Sequence, residues 1–463
     1  MITFGLTVTV ILGFCIALSI SRNLKLVETL GLAFPFGIGL QTFLMVCLDW
    51  LEIRLTATSV IAASAAVIAL LCTFLFLKRE EIQSWTKENF SFSYPKIGLA
   101  WLCVTVVIAA VAVINVAKTM YFPTFDTDSV RGFDLMGIAV AHEGTIKDLS
   151  IFTDVNFAYL QQKAGSYMTY TPLSQLAYAY VYMLGAATSK VVNALVFLSF
   201  ILAFYGVLSR FATHLLTAIT TFFMIMTPEM LGFSSMSGTN YIHAVYASLG
   251  ILYFAAWHYK KIPSFLWISA AMLMCNIWTR NEGLAFIGAA CCVLLWQSIK
   301  TKNVKNLPVY GFLTVFPFVF WNIFLKINDL HSENVIIFKP FWDSEKISTI
   351  IREVWILFNS TTFYGISFIL FFFVLLSNIW QIFKKHNHAV TLLLIFLSII
   401  FYTVLVYQVN YLWDSILNVL HYSYKRFLFS FIPLLWFYVA VNFNVKWLFE
   451  KIDIFLWGKN KIN

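Results

Sequence analysis

Apolar stretches of membrane-spanning length alternate with short polar connections along almost the whole chain, and one long polar tract, Lys118 to Thr171, breaks the alternation. About 20 apolar residues suffice for a helix to cross the hydrocarbon core of a bilayer. On that measure the pattern predicts spanning helices over about residues 2 to 20, 29 to 48, 56 to 77 and 97 to 117 before the tract. After it come about 190 to 209, 212 to 227, 240 to 257, 264 to 279, 283 to 299, 307 to 325, 360 to 383, 389 to 408 and 427 to 446. The expected fold is an all-α polytopic membrane protein of about 13 transmembrane helices, with a helical first large loop outside the cytoplasm. Residues 1–96 read as an N-terminal three-helix segment and 97–463 as the main transmembrane domain, with 118–171 as its large loop. The first segment lacks the basic start and small-residue cleavage site of a signal peptide, so it counts as a helix.

The apolar run Pro172 to Ala187 fixes the parity of everything after it. Read as a helix at the membrane surface, over 172–187, it places Arg22, Lys25, Lys78 to Lys96, Arg210, Lys260, Lys261, Lys300 to Lys305, Lys384, Lys385 and the tail from Lys446 on one side. That side then carries 18 Lys and Arg against 6 acids, and the other 13 against 16, which accounts for the net charge of +9. Basic residues concentrate on the cytoplasmic face. The expectation is therefore a multi-pass protein of the cytoplasmic (inner) membrane, N-terminus outside and C-terminus inside, with its long loops outside.

Composition agrees: 60% of residues are hydrophobic, 11% are charged and the mean hydropathy is +0.81. The seven cysteines all fall within or at the ends of apolar segments, which argues against a disulfide framework or a cysteine metal site. The basic excess is a matter of orientation rather than of nucleic-acid binding, and no partner of that kind is expected. No glycine-rich phosphate loop, internal repeat or low-complexity tract is present.

Candidate chemistry collects on the outer side. Tyr121, Phe122 and Phe125, residues of the kind found at membrane interfaces, lead into Asp126 and Asp128. Two carboxylates there suit a general base for an attacking hydroxyl, or oxygen ligands for a divalent cation of the Mg or Mn kind. The plainer reading makes Thr127 or Asp128 the cap of a short helix from Ser129 to about His142, with Asp126 solvated. Arg280 and Glu282 form a polar break between two short apolar helices, where charge is costly and usually paired or functional. The plainer reading there is an ion pair closing a hairpin. Asp414 precedes His421-Tyr422-Ser423-Tyr424-Lys425-Arg426, whose two cations either bind a substrate phosphate or snorkel to lipid. Glu28 reads as a helix-end residue on the opposite side. The scattered histidines show no zinc spacing, and no nucleophile elbow supports a serine hydrolase.

In layout, residues 97 to 446 resemble the GT-C class of membrane glycosyltransferases, which includes the protein O-mannosyltransferases and the lipid A aminoarabinose transferases. The likeness is carried by the aromatic entry to Asp126 and Asp128, by Tyr170-Thr171-Pro172-Leu173, by Thr279-Arg280-Asn281-Glu282-Gly283, and by Tyr424-Lys425-Arg426 leading to Pro433. It implies a GT-C-like bundle that takes a sugar from a polyprenyl-phosphate carrier and passes it to a lipid-linked, glycan or protein acceptor outside the cytoplasm. Asp126, Asp128 and Glu282 would be catalytic, and Arg280, Lys425, Arg426 and Tyr170 would bind substrate. Asp128 and Glu282 are the candidate ligands of a divalent cation. The chain departs from the family where many relatives have a second proline beside Pro172, and where they have a second acid and this chain reads Ser237-Gly238-Thr239-Asn240, with Glu229 the only acid nearby.

The expected transfer is inverting, since no second carboxylate is evident as a covalent nucleophile. A lipid-linked glycan polymerase is the nearest alternative. A transporter or lipid flippase is the rival from another class and requires charges near mid-membrane on broken helices.

Overall fold

The computed structural model describes residues 1–90, 98–153, 169–330, 342–379, 388–408 and 415–457. Asp414, Lys384 and Lys385 lie outside them. All regular structure among the described residues is helical. In chain order the main helices are α1 (Ile2–Ile20), α2 (Leu26–Trp50), α3 (Ala57–Leu77), α4 (Arg79–Phe90), α5 (Leu99–Tyr121), α6 (Asp134–Glu143), α7 (Leu173–Met183), α8 (Val191–Leu208) and α9 (His214–Ile225). Then follow α10 (Thr239–Lys260), α11 (Pro263–Thr279), α12 (Leu284–Thr301), α13 (Asn306–Ile327), α14 (Ser344–Phe358), α15 (Ser367–Ser377), α16 (Ala389–Gln408), the compound rod α17 (Ile416–Val441) and α18 (Phe443–Trp457).

Nine of these segments, among the described residues, are long and apolar enough to cross a membrane: α1, α2, α3, α5, α8, α12 with its preceding turn, α13, α16 and α17. These are the marks of a multi-pass membrane protein. The other four of the thirteen expected spans are helical but do not meet that measure. Helices α9 and α15 have 12 and 11 residues, so each rises less than about 20 Å. Helix α10 has 22 residues but carries Thr239, Asn240, His243 and Ser248 inside the bundle, and α11 has 17.

Helix α2 forms much of the core, between α1 and α8. Its crossing with α1 is close: a Cβ on Gly13 would lie 1.7 Å from the Ala33 carbonyl oxygen, and one on Gly37 1.9 Å from that of Thr9. Only glycine permits such a backbone approach. Tyr246 on α10 donates to the Pro35 carbonyl at 2.6 Å, and Trp278 on α11 donates to Thr42 at 3.1 Å. The first three helices thus share one core with the rest. By contrast, only 11% of α3's most apolar window and 17% of α5's is buried, as expected for helices that face lipid.

Charged groups divide between two ends of the bundle. Lys25, Arg210 and Lys260 lie within electrostatic range of one another at one end, and Lys446 within range of Lys260. Glu28, expected as a simple helix-end residue, is fully buried there: it accepts from Arg210 Nε at 2.9 Å and from the Tyr253 hydroxyl at 3.3 Å. At the other end Asp49 accepts from Thr145 Oγ1 at 2.9 Å and from the backbone N–H groups of Ile146 and Lys147, both at 3.1 Å.

Helix α7 lies wholly at this second end. Tyr170 before it stands beside Arg280, and Lys190 after it donates to the Phe122 carbonyl. Leu173 to Val181 are buried, under α6 and against the start of α1, where Tyr180 donates to the Gly5 carbonyl at 3.0 Å. The helix therefore does not cross the bundle, but it is covered by protein rather than laid open on a surface.

Candidate functional site

Helix α5 ends at Tyr121 and helical backbone resumes at Thr127. Asp126 caps that restart. Its Oδ2 accepts from Ser129 N at 3.1 Å and Ser129 Oγ at 2.9 Å, and its carbonyl accepts from Val130 N at 2.9 Å. The cap is thus Asp126 itself, not Thr127 or Asp128, because helical backbone begins at Thr127, two residues before the expected start at Ser129. The next turn, Ser129–Phe133, is a π turn. A second π turn, Leu420–Tyr424, immediately precedes Lys425 and Arg426. Such turns are uncommon and recur at functional sites, because the extra residue re-aims the side chains around it.

The residues that flank the two π turns meet. Arg426 Nη1 donates to Asp128 Oδ2 at 2.5 Å across 298 residues of sequence, while its Nε donates to the Tyr422 carbonyl at 2.8 Å. Both side chains are about a quarter to a third exposed. Lys425 Nζ stands 3.7 Å from Glu229 Oε1 and 4.1 Å from the centre of the Phe363 ring. Burial pushes the Glu229 pKa up, against the opposing pull of Lys425. Asp126, Asp128, Phe233, Tyr422, Lys425 and Arg426 line one cavity of about 390 Å³, with Asn418 and Ser423 at its wall.

Beside it lies a second polar cluster. Arg280, at the end of α11, donates to Glu282 Oε1 at 2.6 Å and Oε2 at 3.3 Å, and to Asn240 Oδ1 at 2.5 Å. The expected ion pair is present, and it reaches beyond its own hairpin. The Arg280 guanidinium carbon is 5.8 Å from the centre of the Tyr170 ring, a cation–π contact. Tyr170 lies within electrostatic range of Asp128 and Arg426 as well as Arg280 and Glu282, and burial pushes its phenol pKa up. The turn before α10 closes the gap from the other side, since a Cβ on Gly238 would be 3.9 Å from Asp126 Oδ2.

All seven residues singled out in the sequence, Asp126, Asp128, Tyr170, Arg280, Glu282, Lys425 and Arg426, therefore gather at one end of the bundle. Asn418, Tyr422, Ser423 and Phe233 were not singled out. Tyr422 and Ser423 stand inside the stretch that flagged the cations, whereas Phe233 and Asn418 carry no local signal. As candidate metal ligands, Asp128 and Glu282 are each held by an arginine. Among the described residues no group of three or more His, Cys, Asp or Glu side chains converges. This donor set does not fit a divalent cation, whose oxygen shell needs carboxylates uncommitted to guanidinium groups.

Comparison with models of known protein families, with characterised proteins and with solved structures gave no match in any of the three.

The geometry makes a topological prediction. Single cysteines at 126, 282 and 426, in a background without the seven native cysteines, should all react with a membrane-impermeant maleimide from one side, and one at 302 from the other. Tags at 170 and 190 should share the side of 126. Reaction of 282 and 302 from the same side would break the arrangement.

Proposed function

We propose that the protein is a membrane glycosyltransferase that moves a sugar from a polyprenyl-phosphate carrier to a hydroxyl acceptor on the extracytoplasmic side of the inner membrane. The observation that carries this reading is the shared cavity, where the carboxylate of Asp126 and the cations of Lys425 and Arg426 converge at the end of an apolar bundle. A lipid-phosphate sugar needs those two kinds of group together, a base for the acceptor and cations for the phosphate. The exposed rings of Tyr121, Phe122 and Phe125 beside it suit a substrate that arrives through the lipid interface. In the proposed step the acceptor oxygen attacks the anomeric carbon and its proton passes to Asp126. The bond from that carbon to the phosphate oxygen breaks, and the carrier phosphate leaves with the electron pair, facing Arg426 and Lys425. One displacement inverts the anomeric centre.

The Arg280–Glu282 pair and Tyr170 stand beside this cavity, Tyr170 within electrostatic range of Asp128 and Arg426. No step is assigned to a metal. Transfer from a synthetic polyprenyl-phosphate sugar by the purified protein is therefore expected to persist in EDTA. Glu282→Gln is expected to lower turnover without introducing a response to Mg²⁺ or Mn²⁺. Loss of activity on chelation, restored by either ion, would return Asp128 and Glu282 to the role of ligands. The same assay tests the reading itself: absence of transfer with every lipid-phosphate sugar offered, alongside transport of the intact lipid, would favour a flippase. Against that rival, Asp126, Asp128, Arg280 and Glu282 stand at helix ends and, with Lys425 and Arg426 in the first half of α17, gather at one end of the bundle rather than at its middle.

A further inference from the structure

Helix α14 is amphipathic, and its buried stripe contains a charge. Ile350, Glu353 and Leu357, three and four residues apart, are buried, whereas Ile351, Trp355 and Ile356 are exposed. The helix is docked at its start. Asp343 caps it by accepting from Lys346 N at 2.9 Å, the Asp343 N–H donates to the Tyr407 hydroxyl at 2.8 Å, and Lys346 Nζ donates to the Tyr407 carbonyl at 2.8 Å. A carboxylate within a buried stripe is costly unless it is paired. Glu353 Oε1 accepts from Arg352 Nε at 3.1 Å, and its Oε2 lies 2.9 Å from Nε2 of His421. An ionised carboxylate only accepts, so His421 carries its hydrogen on Nε2. That bond, ahead of the one from Arg352, holds the Glu353 carboxyl below its ordinary pKa. Arg352 is the preceding residue and is largely exposed, but His421 is 68 residues away.

His421 belongs to the π turn Leu420–Tyr424, which leads directly into the cations of the candidate site. Its neighbour Tyr422 accepts from Arg426 Nε through the backbone carbonyl at 2.8 Å, and Tyr422 and Ser423 line the cavity that holds Asp126. A π turn is a rare conformation, and contacts from neighbouring elements hold it in place. Three such contacts meet this segment. Tyr424 shares a 2.9 Å hydrogen bond with Thr403 on α16, the Tyr364 hydroxyl donates to the Lys425 carbonyl at 2.7 Å, and Glu353 on α14 accepts from His421. The first two join neutral groups. The third has an ionised acceptor, and hydrogen bonds of that kind are the shorter and stronger ones. A shift of the turn would carry the Tyr422 carbonyl with it, and so the plane of the Arg426 guanidinium.

We propose that Glu353 is a positioning residue for the candidate site: through His421 it fixes the π turn that aims the Arg426 fork at a substrate phosphate. The phosphate rests on the glycosyltransferase reading, whereas the tether from α14 to the turn does not. The test compares the full-length wild type with Glu353→Ala, Glu353→Gln and His421→Ala in nanodiscs, by backbone hydrogen exchange over 420–426 and by transfer kinetics with a synthetic polyprenyl-phosphate sugar. Exchange there should be faster in both alanine variants and close to wild type in Glu353→Gln, whose amide oxygen still accepts from His421. Donor KM should rise about tenfold in both alanine variants, short of the roughly 100-fold that 1 Å of misplacement can cost, and acceptor KM should stay unchanged. A role confined to stability would lower the active fraction, and with it kcat, and leave donor KM alone. In an Arg426→Lys background the effect of Glu353→Ala on donor KM should disappear, because no fork is left to aim. If Glu353→Ala fails to fold, His421→Ala decides, since it removes the half-exposed end of the same bond. Unchanged exchange in the alanine variants would overturn the proposal whether or not the protein transfers sugar. Faster exchange with an unchanged donor KM would overturn the positioning role. Faster exchange in a protein that transfers no sugar at all would sink the glycosyltransferase reading and leave Glu353 as the residue that holds the turn.

Discussion

Asp126→Asn should abolish sugar transfer and leave the fold unchanged. The two outcomes separate because the side chain has two tasks. As a helix cap, Asp126 accepts from Ser129 through one oxygen, and asparagine, which caps as well as aspartate, can supply that oxygen as an amide. As the proposed base it must take a proton, which an amide does not. The expected loss is about 10² to 10⁴ in turnover, the usual contribution of a positioned base, with donor binding retained and an unchanged melting curve. Asp126→Ala should lose transfer and also about 1 kcal/mol of stability, because it removes the cap. Wild-type transfer by the asparagine variant would leave Asp126 with capping as its only task.

What could be read from the chain, and what could not, follows from the range of the interactions involved. Apolar segments with charged ends report themselves locally. The expected span 2 to 20 coincides with α1, 56 to 77 differs from α3 by one residue, and 389 to 408 coincides with α16. The same local signal overcounts spans where tertiary packing has shortened a helix or let polar residues into it, as in α9 and α10. Glu28 shows the same limit. Its sequence neighbourhood is that of an exposed helix start, and only Arg210, 182 residues away, turns it into the centre of a buried ion pair.

The site residues were legible as residue types at interruptions, each with a plain structural explanation. Their joining was not. Nothing local to Asp128 points to Arg426, and the two π turns that aim these side chains have no periodic signature. Nor does anything in the N-terminal helices announce Asp49. Its 2% exposed carboxylate nonetheless binds three groups in the turn after α6, and so ties the end of the Asp126-bearing segment to α2. That bond gives the first three helices a mechanical connection to the site.

Arg426→Lys should cost nearly as much as removal of the side chain. Lysine keeps the positive charge and could snorkel to lipid phosphate equally well, so an interfacial anchor would tolerate the change. A guanidinium held by Asp128 and by the Tyr422 carbonyl is different, since its plane is fixed before substrate arrives and its fork can donate in parallel to a phosphate. Losing one preorganised donor at a site of growing negative charge typically costs about 10² to 10³ in turnover. Donor affinity should fall as well, because the ground-state phosphodiester already carries charge. Asp128→Asn should weaken the same contact by leaving the fork less well oriented. The double variant should then be less impaired than the product of the single effects, with a coupling of roughly 0.5 to 3 kcal/mol. Turnover and donor affinity at wild-type levels in Arg426→Lys would reduce the residue to a membrane anchor, and additive effects in the cycle would show that the Asp128 pair does not orient it.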